Sequence, residues 1–311
     1  MPPSPRKKGK TARRKKIRGN HIGAFIVIAI FLVTLVVAVV FLARRIRRPH
    51  PAPQAVSSVP REGEIYYEEP HLKGDIVPRN QKHRPLEARP GHKLPLVAIV
   101  IDDMGYNLEV GRSLISSGIN LSFAFLPKGP HTAELLAMAE DYRRDRLLHF
   151  PMEPINSHVN PGPGAIFLNT PYATLKKTFM ENLSLVPGVM GINNHMGSRY
   201  TQNRAAMREF LGLMRGRGLF FLDSFTSSNS VGLSLAREMG IKSLRRDVFL
   251  DNVQERAAIN RQLDTLVSIA DRRGSAVGIG HPHRATWKAI VARKGWLAGR
   301  VRLVGVSRLA R

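Results

Sequence analysis

The sequence contains no cysteine among its 311 residues. Disulfide bonds and metal sites built on thiolates are therefore excluded. Residues 1–48 and 284–311 contain no acidic residue, whereas they carry thirteen and eight Lys and Arg respectively. Residues 94–283 hold twenty basic and seventeen acidic residues, so the formal net charge of +25 lies mainly in the terminal segments. Because basic and aromatic residues are not interleaved, we predict no nucleic-acid partner.

A long apolar segment follows the basic N-terminus. Residues 1–20 carry nine Lys and Arg, and residues 22–43 are apolar except for Gly23 and Thr34. At about 1.5 Å per residue, such a helix spans roughly 30 Å, the thickness of the hydrocarbon core of a bilayer. Four arginines follow at once within residues 44–48, which is a poor context for cleavage of a signal peptide. The segment predicts an uncleaved, single-pass transmembrane anchor over residues 21–43.

The charges beside the apolar segment predict its orientation. Nine basic residues precede it and four follow, which favours a cytoplasmic tail over residues 1–20 and a body on the periplasmic side of the inner membrane. Residues 44–93 are rich in proline and show no sustained apolar period, so they predict an extended linker. The remaining residues, 94–311, are predicted to form one folded domain.

From residue 94 onward, short apolar strands alternate with amphipathic helices. The first strand, residues 96–101, is a continuous apolar run that is typical of a strand buried on both faces. Thr170 and Pro171 are predicted to begin a helix that runs to about residue 185. Further strands are predicted over residues 121–126, 146–150, 188–193, 219–222, 241–244 and 276–280. This alternation predicts an α/β fold with a sheet or barrel of about seven mainly parallel strands.

Polar or ionisable side chains stand at the ends of most of these strands. They are Asp102, Asp103, His149, Asn193, Asn194, His195, Asp223, Ser224, Arg245, Arg246, Asp247, His281 and His283. In a parallel sheet or barrel, the carboxyl ends of the strands lie on one face. Carboxylates and histidines on that face suit a metal site with an open coordination position. Any one of them alone could instead cap a helix or hold a turn.

Six ordered segments resemble the divergent polysaccharide deacetylase family, a remote branch of the carbohydrate esterases that share the chitooligosaccharide deacetylase domain. The segments are IDDMG (101–105), LHFPMEP (148–154), NNHMGSR (193–199), FLDS (221–224), RDVFLD (246–251) and GHP (280–282). The resemblance covers about residues 94–298. It implies a distorted (β/α) barrel with fewer than eight strands.

The resemblance also implies roles for single residues. Asp102 would act as the base and Asp103 would bind a metal ion. His281 would protonate the leaving amine. Arg246 and Asp247 would orient the base or that histidine.

The chain departs from the family's better-known pattern, in which two histidine ligands stand four residues apart. Glu153 stands four residues after His149, and Arg199 stands four residues after His195. The simplest interpretation is that His149 and His195, from different strands, join Asp103 on the metal. Glu153 as a ligand is the alternative. The Asp and His donors favour Zn²⁺.

These roles imply a metal-dependent hydrolase that removes acyl groups, such as acetyl, from an amino-sugar polysaccharide or a peptidoglycan-like glycan. Asn193 and Asn194, with backbone N–H groups, would stabilise the oxyanion. Asp223, Ser224 and Glu153 complete the predicted substrate contacts. The alternative is a barrel of the same fold that binds glycan or cell-wall enzymes without catalysis, which the missing second histidine of the usual pair suggests.

Overall fold

The structure is a computed structural model that describes residues 93–311 and Thr34. The predicted N-terminal tail, the predicted transmembrane anchor apart from Thr34, and all of the predicted linker except its last residue lie outside the described residues. Within residues 93–311, each helix is too short or too polar to cross a membrane.

The described part of the chain contains nine strands in one sheet. They are β1 (Leu96–Met104), β2 (Ser122–Phe125), β3 (Arg146–Met152), β4 (Gly191–Met196), β5 (Phe220–Asp223), β6 (Ser243–Arg245), β7 (Val248–Phe249), β8 (Ser275–Gly280) and β9 (Arg302–Leu303). The hydrogen-bonded order is β6-β5-β4-β3-β2-β1-β8-β7, with β9 beside the start of β1. Every pair is parallel. The predicted α/β fold with parallel strands is therefore confirmed.

Helices connect the strands and cover one face of the sheet. They are α1 (Leu108–Ile115), α2 (Thr132–Asp141), α3 (Tyr172–Leu185), α4 (Arg204–Met214), α5 (Gly232–Glu238), α6 (Arg256–Arg273), α7 (Arg284–Ala292) and α8 (Lys294–Ala298), with short 3₁₀ helices at Tyr200–Gln202 and Val306–Leu309. Aromatic rings fill the layer between strands and helices. Phe150 of β3 lies 5.9 Å from Phe179 of α3 and 5.0 Å from Phe210 of α4, measured between ring centroids.

The two edges of the sheet are adjacent in the chain, since only Arg246 and Asp247 separate β6 from β7. The Arg246 N–H donates to the carbonyl of Asp223 on one edge, and the Asp247 N–H donates to the carbonyl of Val277 on the other. Three Cα–Cα steps reach at most about 11 Å, so the sheet must curl until its edges nearly meet. Counted as one interrupted strand, β6 and β7 bring this curled sheet to seven strands, and β9 is an addition to the predicted set.

The start of α3 differs from the prediction. The helix begins at Tyr172, and Pro171 before it is extended, with φ −60° and ψ 144°. Thr170 does not cap the helix, because its hydroxyl accepts the N–H of Phe167 at 2.9 Å and so closes the preceding turn. The strand predicted over residues 188–193 lies slightly later, at Gly191–Met196.

Apolar side chains fill the amino-terminal part of the interior of the curled sheet. This cluster consists of Ala98, Val100, Ala124, Leu147, Phe220, Leu222, Leu244, Val277, Ile279 and Val306. The C-terminal segment covers it, since the Val306 N–H donates to Ser122 Oγ at 3.0 Å and the Ser307 N–H to Asp145 at 2.8 Å. Because side chains alternate along a strand, Asp102 faces the same interior as Ala98 and Val100. The interior is thus apolar at one end and polar at the other.

Candidate metal centre

Three strands bring three potential metal ligands together at the carboxyl end of the sheet. Asp103 Oδ1 lies 3.1 Å from His149 Nε2 and 2.8 Å from His195 Nδ1. The two histidine nitrogens are 3.2 Å apart. All three residues are buried. Donor atoms around a tetrahedral zinc ion lie about 3.3 Å apart when the bonds are about 2.0–2.1 Å, so these separations fit a single ion.

The pairing of β3 with β4 explains why the two histidines meet. His149 stands opposite Asn193 in the register, and Pro151 stands opposite His195. Partners in a parallel pair share a face, and so do residues two apart in one strand. His149, Asn193 and His195 therefore project together into the interior.

A β-bulge directs Asp103 to the same place. In a regular strand, Asp102 and Asp103 would face opposite sides of the sheet. The β1–β2 register shifts between Ile101 and Met104, and Asp103 has a left-handed backbone with φ 53°. Such a bulge re-aims a side chain, and bulges are frequent beside active sites. Both aspartates consequently lie beside His149, whose Nδ1 is 3.8 Å from Asp102.

The surroundings of Asp103 fit a bound cation. The Asp103 side chain is fully buried, and within the described residues the imidazole nitrogens of His195 and His149 approach its Oδ1 without the geometry of regular hydrogen bonds. An uncompensated buried charge costs several kcal/mol, so this position calls for a positive partner. Burial by itself would raise the pKa of Asp103, but the adjacent His195 and His149 hold it well below its ordinary value. One ionised carboxylate and two imidazoles form a donor set suited to zinc.

Asn193 links the ligands to the neighbouring carboxylate. Its amide nitrogen lies 2.9 and 3.0 Å from the two oxygens of Asp102 and 3.1 Å from Ser224 Oγ. Its amide oxygen lies 3.0 Å from His149 Nδ1. The predicted substrate contacts Asn193 and Ser224 are thus brought to the centre, where the structure shows them bonded to other side chains of the site.

Asp102 lies beside the ligands without belonging to them. Burial raises the pKa of its carboxyl group above the ordinary value, and the nearby His149 and His281 only partly oppose that shift. A raised pKa makes a carboxylate a stronger base, provided that it remains ionised at the working pH.

A second histidine–carboxylate pair stands at the end of β8. His281 Nδ1 lies 3.0 Å from Asp251 Oδ1, while Asp251 Oδ2 accepts the backbone N–H of His281 and the hydroxyl of Thr286, both at 2.6 Å. Burial by itself would lower the pKa of His281, but Asp251 raises it to about 10. The ring is therefore protonated at neutral pH, and its Nε2 lies 3.8 Å from Asp103 Oδ2. His283 lies close enough to form another potential metal-binding group with this pair.

The site geometry can be set beside known proteins. A family model described as "Divergent polysaccharide deacetylase" matches residues 99–310. The chain belongs to the divergent polysaccharide deacetylase family. An uncharacterized protein of Haemophilus influenzae is 34% identical over 215 residues, which cover 69% of this chain and 76% of that protein. The uncharacterized protein YibQ of Escherichia coli is 34% identical over 199 residues, which cover 62% of this chain and 60% of YibQ.

A solved structure shares the fold of this member of the divergent polysaccharide deacetylase family. It is the crystal structure of an uncharacterized protein of Agrobacterium tumefaciens, with a TM-score of 0.67 and 26% sequence identity. The match covers 72% of this chain and 92% of the other.

In this member of the deacetylase family, the acidic partner of His281 is Asp251. Asp247 was predicted to orient either the base or His281, but the structure bonds its carboxylate elsewhere. The Asp247 carboxylate accepts Arg273 at 3.0 Å and the backbone N–H of Val277 at 2.9 Å, so it ties α6 and β8 to the β6–β7 junction. Asp251 lies two residues after the last residue of β7. A correct assignment of β7 would have placed Asp251 at a strand end.

Arg246 donates to backbone carbonyls of the turn after β5. Its Nε donates to the carbonyl of Ser224 at 2.7 Å, and its Nη2 donates to the carbonyl of Phe225 at 2.9 Å. Phe225 has a left-handed backbone with φ 52°. Arg246 therefore holds the turn after β5, and it reaches Asp102 through Ser224 and Asn193. Its predicted influence on the base takes this indirect form.

The other predicted substrate contacts hold loops around the candidate metal centre. Asn194 lies one residue from Asn193 and accepts the N–H of Ser224 at 3.0 Å. Asp223 accepts two backbone N–H groups in the segment after β5. Glu153 pairs with Arg199 at 3.1 Å and accepts a backbone N–H from the loop before α3. The geometry thus does not place Glu153 in the three-residue ligand cluster.

Proposed function

We propose that this chain is a metal-dependent hydrolase that removes acyl groups, acetyl in the first instance, from an amino-sugar polysaccharide of the cell envelope. The observation that carries the proposal is the convergence of Asp103, His149 and His195 on one point. Asp102 and His281 lie beside that point, and they are the two groups that amide hydrolysis needs.

The two flanking groups divide the proton transfers between them. A divalent metal, for which the donors favour Zn²⁺, would supply Lewis acidity at the acyl carbonyl and would lower the pKa of a water molecule. Asp102 accepts a proton from the attacking water, since burial makes its carboxylate a stronger base. His281 carries a proton at neutral pH and donates it to the departing sugar amine. Asp251 orients the His281 ring through Nδ1 and so presents Nε2 to the centre.

The environments of Asp102 and His281 support this assignment of base and acid. Burial keeps the Asp102 carboxylate basic although His149 and His281 lie nearby, whereas the ion pair with Asp251 keeps His281 protonated. Environments that give neighbouring titratable groups opposite protonation states are a feature of acid–base catalysis.

The N-terminal segments give the proposal a location. An anchor over residues 21–43 in the inner membrane and a linker over residues 44–93 would hold residues 94–311 on the periplasmic side. A glycan substrate of the cell envelope would be accessible there. The basic tail and the apolar segment support this topology.

The test begins with metal content. The full chain is purified in detergent under zinc-replete conditions, beside the double variant His149→Ala/His195→Ala. We expect stoichiometric zinc in the parent and none in the variant, followed by release of acetate from acetylated amino-sugar oligomers by the parent alone. A parent without zinc would overturn the hydrolase mechanism. Zinc and glycan binding without acetate release would favour the non-catalytic glycan-binding protein.

A further inference from the structure

The side chain of Asn193 is fully buried, and each of its polar atoms has a partner. A carboxylate cannot donate a hydrogen bond, so the amide group that faces Asp102 must be the NH₂. One hydrogen is directed to the Asp102 carboxylate and the other to Ser224 Oγ. The amide oxygen must then face His149.

This orientation determines the tautomer of His149. An amide oxygen only accepts, so His149 Nδ1 must carry the proton that lies between it and Asn193 Oδ1, at a separation of 3.0 Å. A neutral ring protonated at Nδ1 has its lone pair on Nε2. That nitrogen faces Asp103 Oδ1 and His195 Nδ1.

We propose that Asn193 is a positioning residue that selects the metal-binding tautomer of His149 and orients the base Asp102 at the same time. The inference deepens the proposed function and rests on it. Metal-binding histidines generally donate their second nitrogen to a carboxylate, a carbonyl or water. Here the Asn193 amide oxygen is that acceptor for His149, and the NH₂ group of the same amide donates to Asp102. The side chain of Asn193 therefore supports both the ligand and the base.

The support is itself fixed by the surrounding backbone. Ser224 Oγ accepts from Asn193, while the Ser224 carbonyl accepts Arg246 and its N–H donates to Asn194. An aspartate at position 193 would still accept from His149, but it would present an oxygen to Asp102. A leucine of similar size would provide neither hydrogen bond. These two substitutions therefore separate the two halves of the role.

The experiment compares Asn193→Leu and Asn193→Asp with Asn182→Leu as a matched control. Asn182 is equally buried, lies in α3, and donates to the carbonyl of Gly164 at 2.8 Å, so its replacement also removes a buried amide. Zinc affinity of the full chain is measured by competition with a chromogenic chelator, and thermal unfolding reports whether each variant folds. The absorption spectrum of the cobalt-substituted protein reports the ligand geometry.

We expect Asn193→Leu to weaken zinc binding about 10–100-fold and to alter the cobalt spectrum, because loss of an outer partner of a metal ligand has an effect of that order. Asn182→Leu should bind zinc as the parent does. Asn193→Asp should retain most of the zinc affinity and the cobalt spectrum, since the acceptor for His149 remains, but should lower kcat with little change in KM because the donor to Asp102 is lost.

Two results would overturn the inference. One is a folded Asn193→Leu protein with parental zinc affinity. The other is a folded Asn193→Asp protein whose zinc affinity falls by the about 10–100-fold expected for loss of the acceptor. This second result overturns the inference even if Asn193→Leu does not fold. Zinc affinities that follow the expected order in a chain that releases no acetate would uphold the role at His149 while refuting the proposed hydrolysis.

Discussion

The two ends of the curled sheet's interior are built from the same strands and differ completely in chemistry. β1 contributes Val100 to the apolar end and Asp102 to the polar end, and β3 contributes Leu147 and His149 in the same way. Residues two apart in a strand are separated by only about 6.6 Å. The boundary between a hydrophobic core and a candidate metal centre is therefore one step of the pleat.

This difference indicates how the fold divides stability from chemistry. At the amino-terminal end, apolar side chains pack under the C-terminal segment, and nothing there requires a ligand. At the carboxyl-terminal end, buried charged groups face one another, an arrangement that lowers stability and is tolerated where it serves function. Substitutions at the two ends should therefore change different measured quantities.

The largest effect on the polar end is expected from Asp103→Asn. The amide removes the ligand charge, so zinc binding and hydrolysis should fall by more than the about 10–100-fold that loss of an outer partner causes. Zinc should raise the unfolding temperature of the parent by mass action and leave that of the variant unchanged. Calorimetry with and without zinc checks both statements. A variant that zinc still stabilises would remove Asp103 from the ligand set.

A second comparison distinguishes Asp251 from Asp247, the aspartate expected from sequence. Asp251→Asn removes the charge that keeps His281 protonated, so the rate of acyl release should fall by at least about 100-fold, the lower end of the range for positioned acid–base groups. Asp247→Asn should reduce stability through Arg273 and leave the rate near that of the parent. Equal losses of activity in the two variants would contradict the assignment of Asp251.

The contact of Asp251 with His281 shows where prediction from sequence succeeds and where it fails. A strand-end rule is sufficient for Asp102, His149 and His281, because each follows or ends an apolar run long enough to detect. β7 has two residues, so it has no periodicity to detect, and Asp251 after it was not assigned a role. The strand is short because the chain leaves its pairing with β5 at β6 and pairs with β8 at β7. That change of partner depends on the curling of the sheet.

The separate roles of Asn193 and Asn194 could not be predicted from the sequence, for a different reason. Asn193 and Asn194 have identical chemistry, and only the one-residue register of β4 decides which of them faces the interior. The bulge at Asp103 likewise depends on the pairing of β1 with β2. Sequence alone grouped these residues at one site, whereas their separate roles required the register.

At the apolar end, Leu147→Ala should reduce stability without changing metal binding. Leu147 is fully buried, and such a truncation generally costs about 2–5 kcal/mol. Urea unfolding of the parent and the variant measures the loss, and a zinc titration of the folded variant provides the comparison. If zinc affinity falls in parallel with stability, the two ends are coupled through β3 and the division proposed above is wrong.

A pH dependence of stability is expected to belong to the polar end alone. Asp251 raises the pKa of His281 from 6.5 to about 10 in the folded chain. Protonated His281 therefore contributes stability that is fully present below about pH 6.5 and is lost as the pH rises through about 10. Urea unfolding of metal-free protein between these values should show this decline in the parent and in Leu147→Ala, and a reduced decline in His281→Gln. An unchanged decline in His281→Gln would mean that another group titrates, and that Asp251 does not hold a proton on His281.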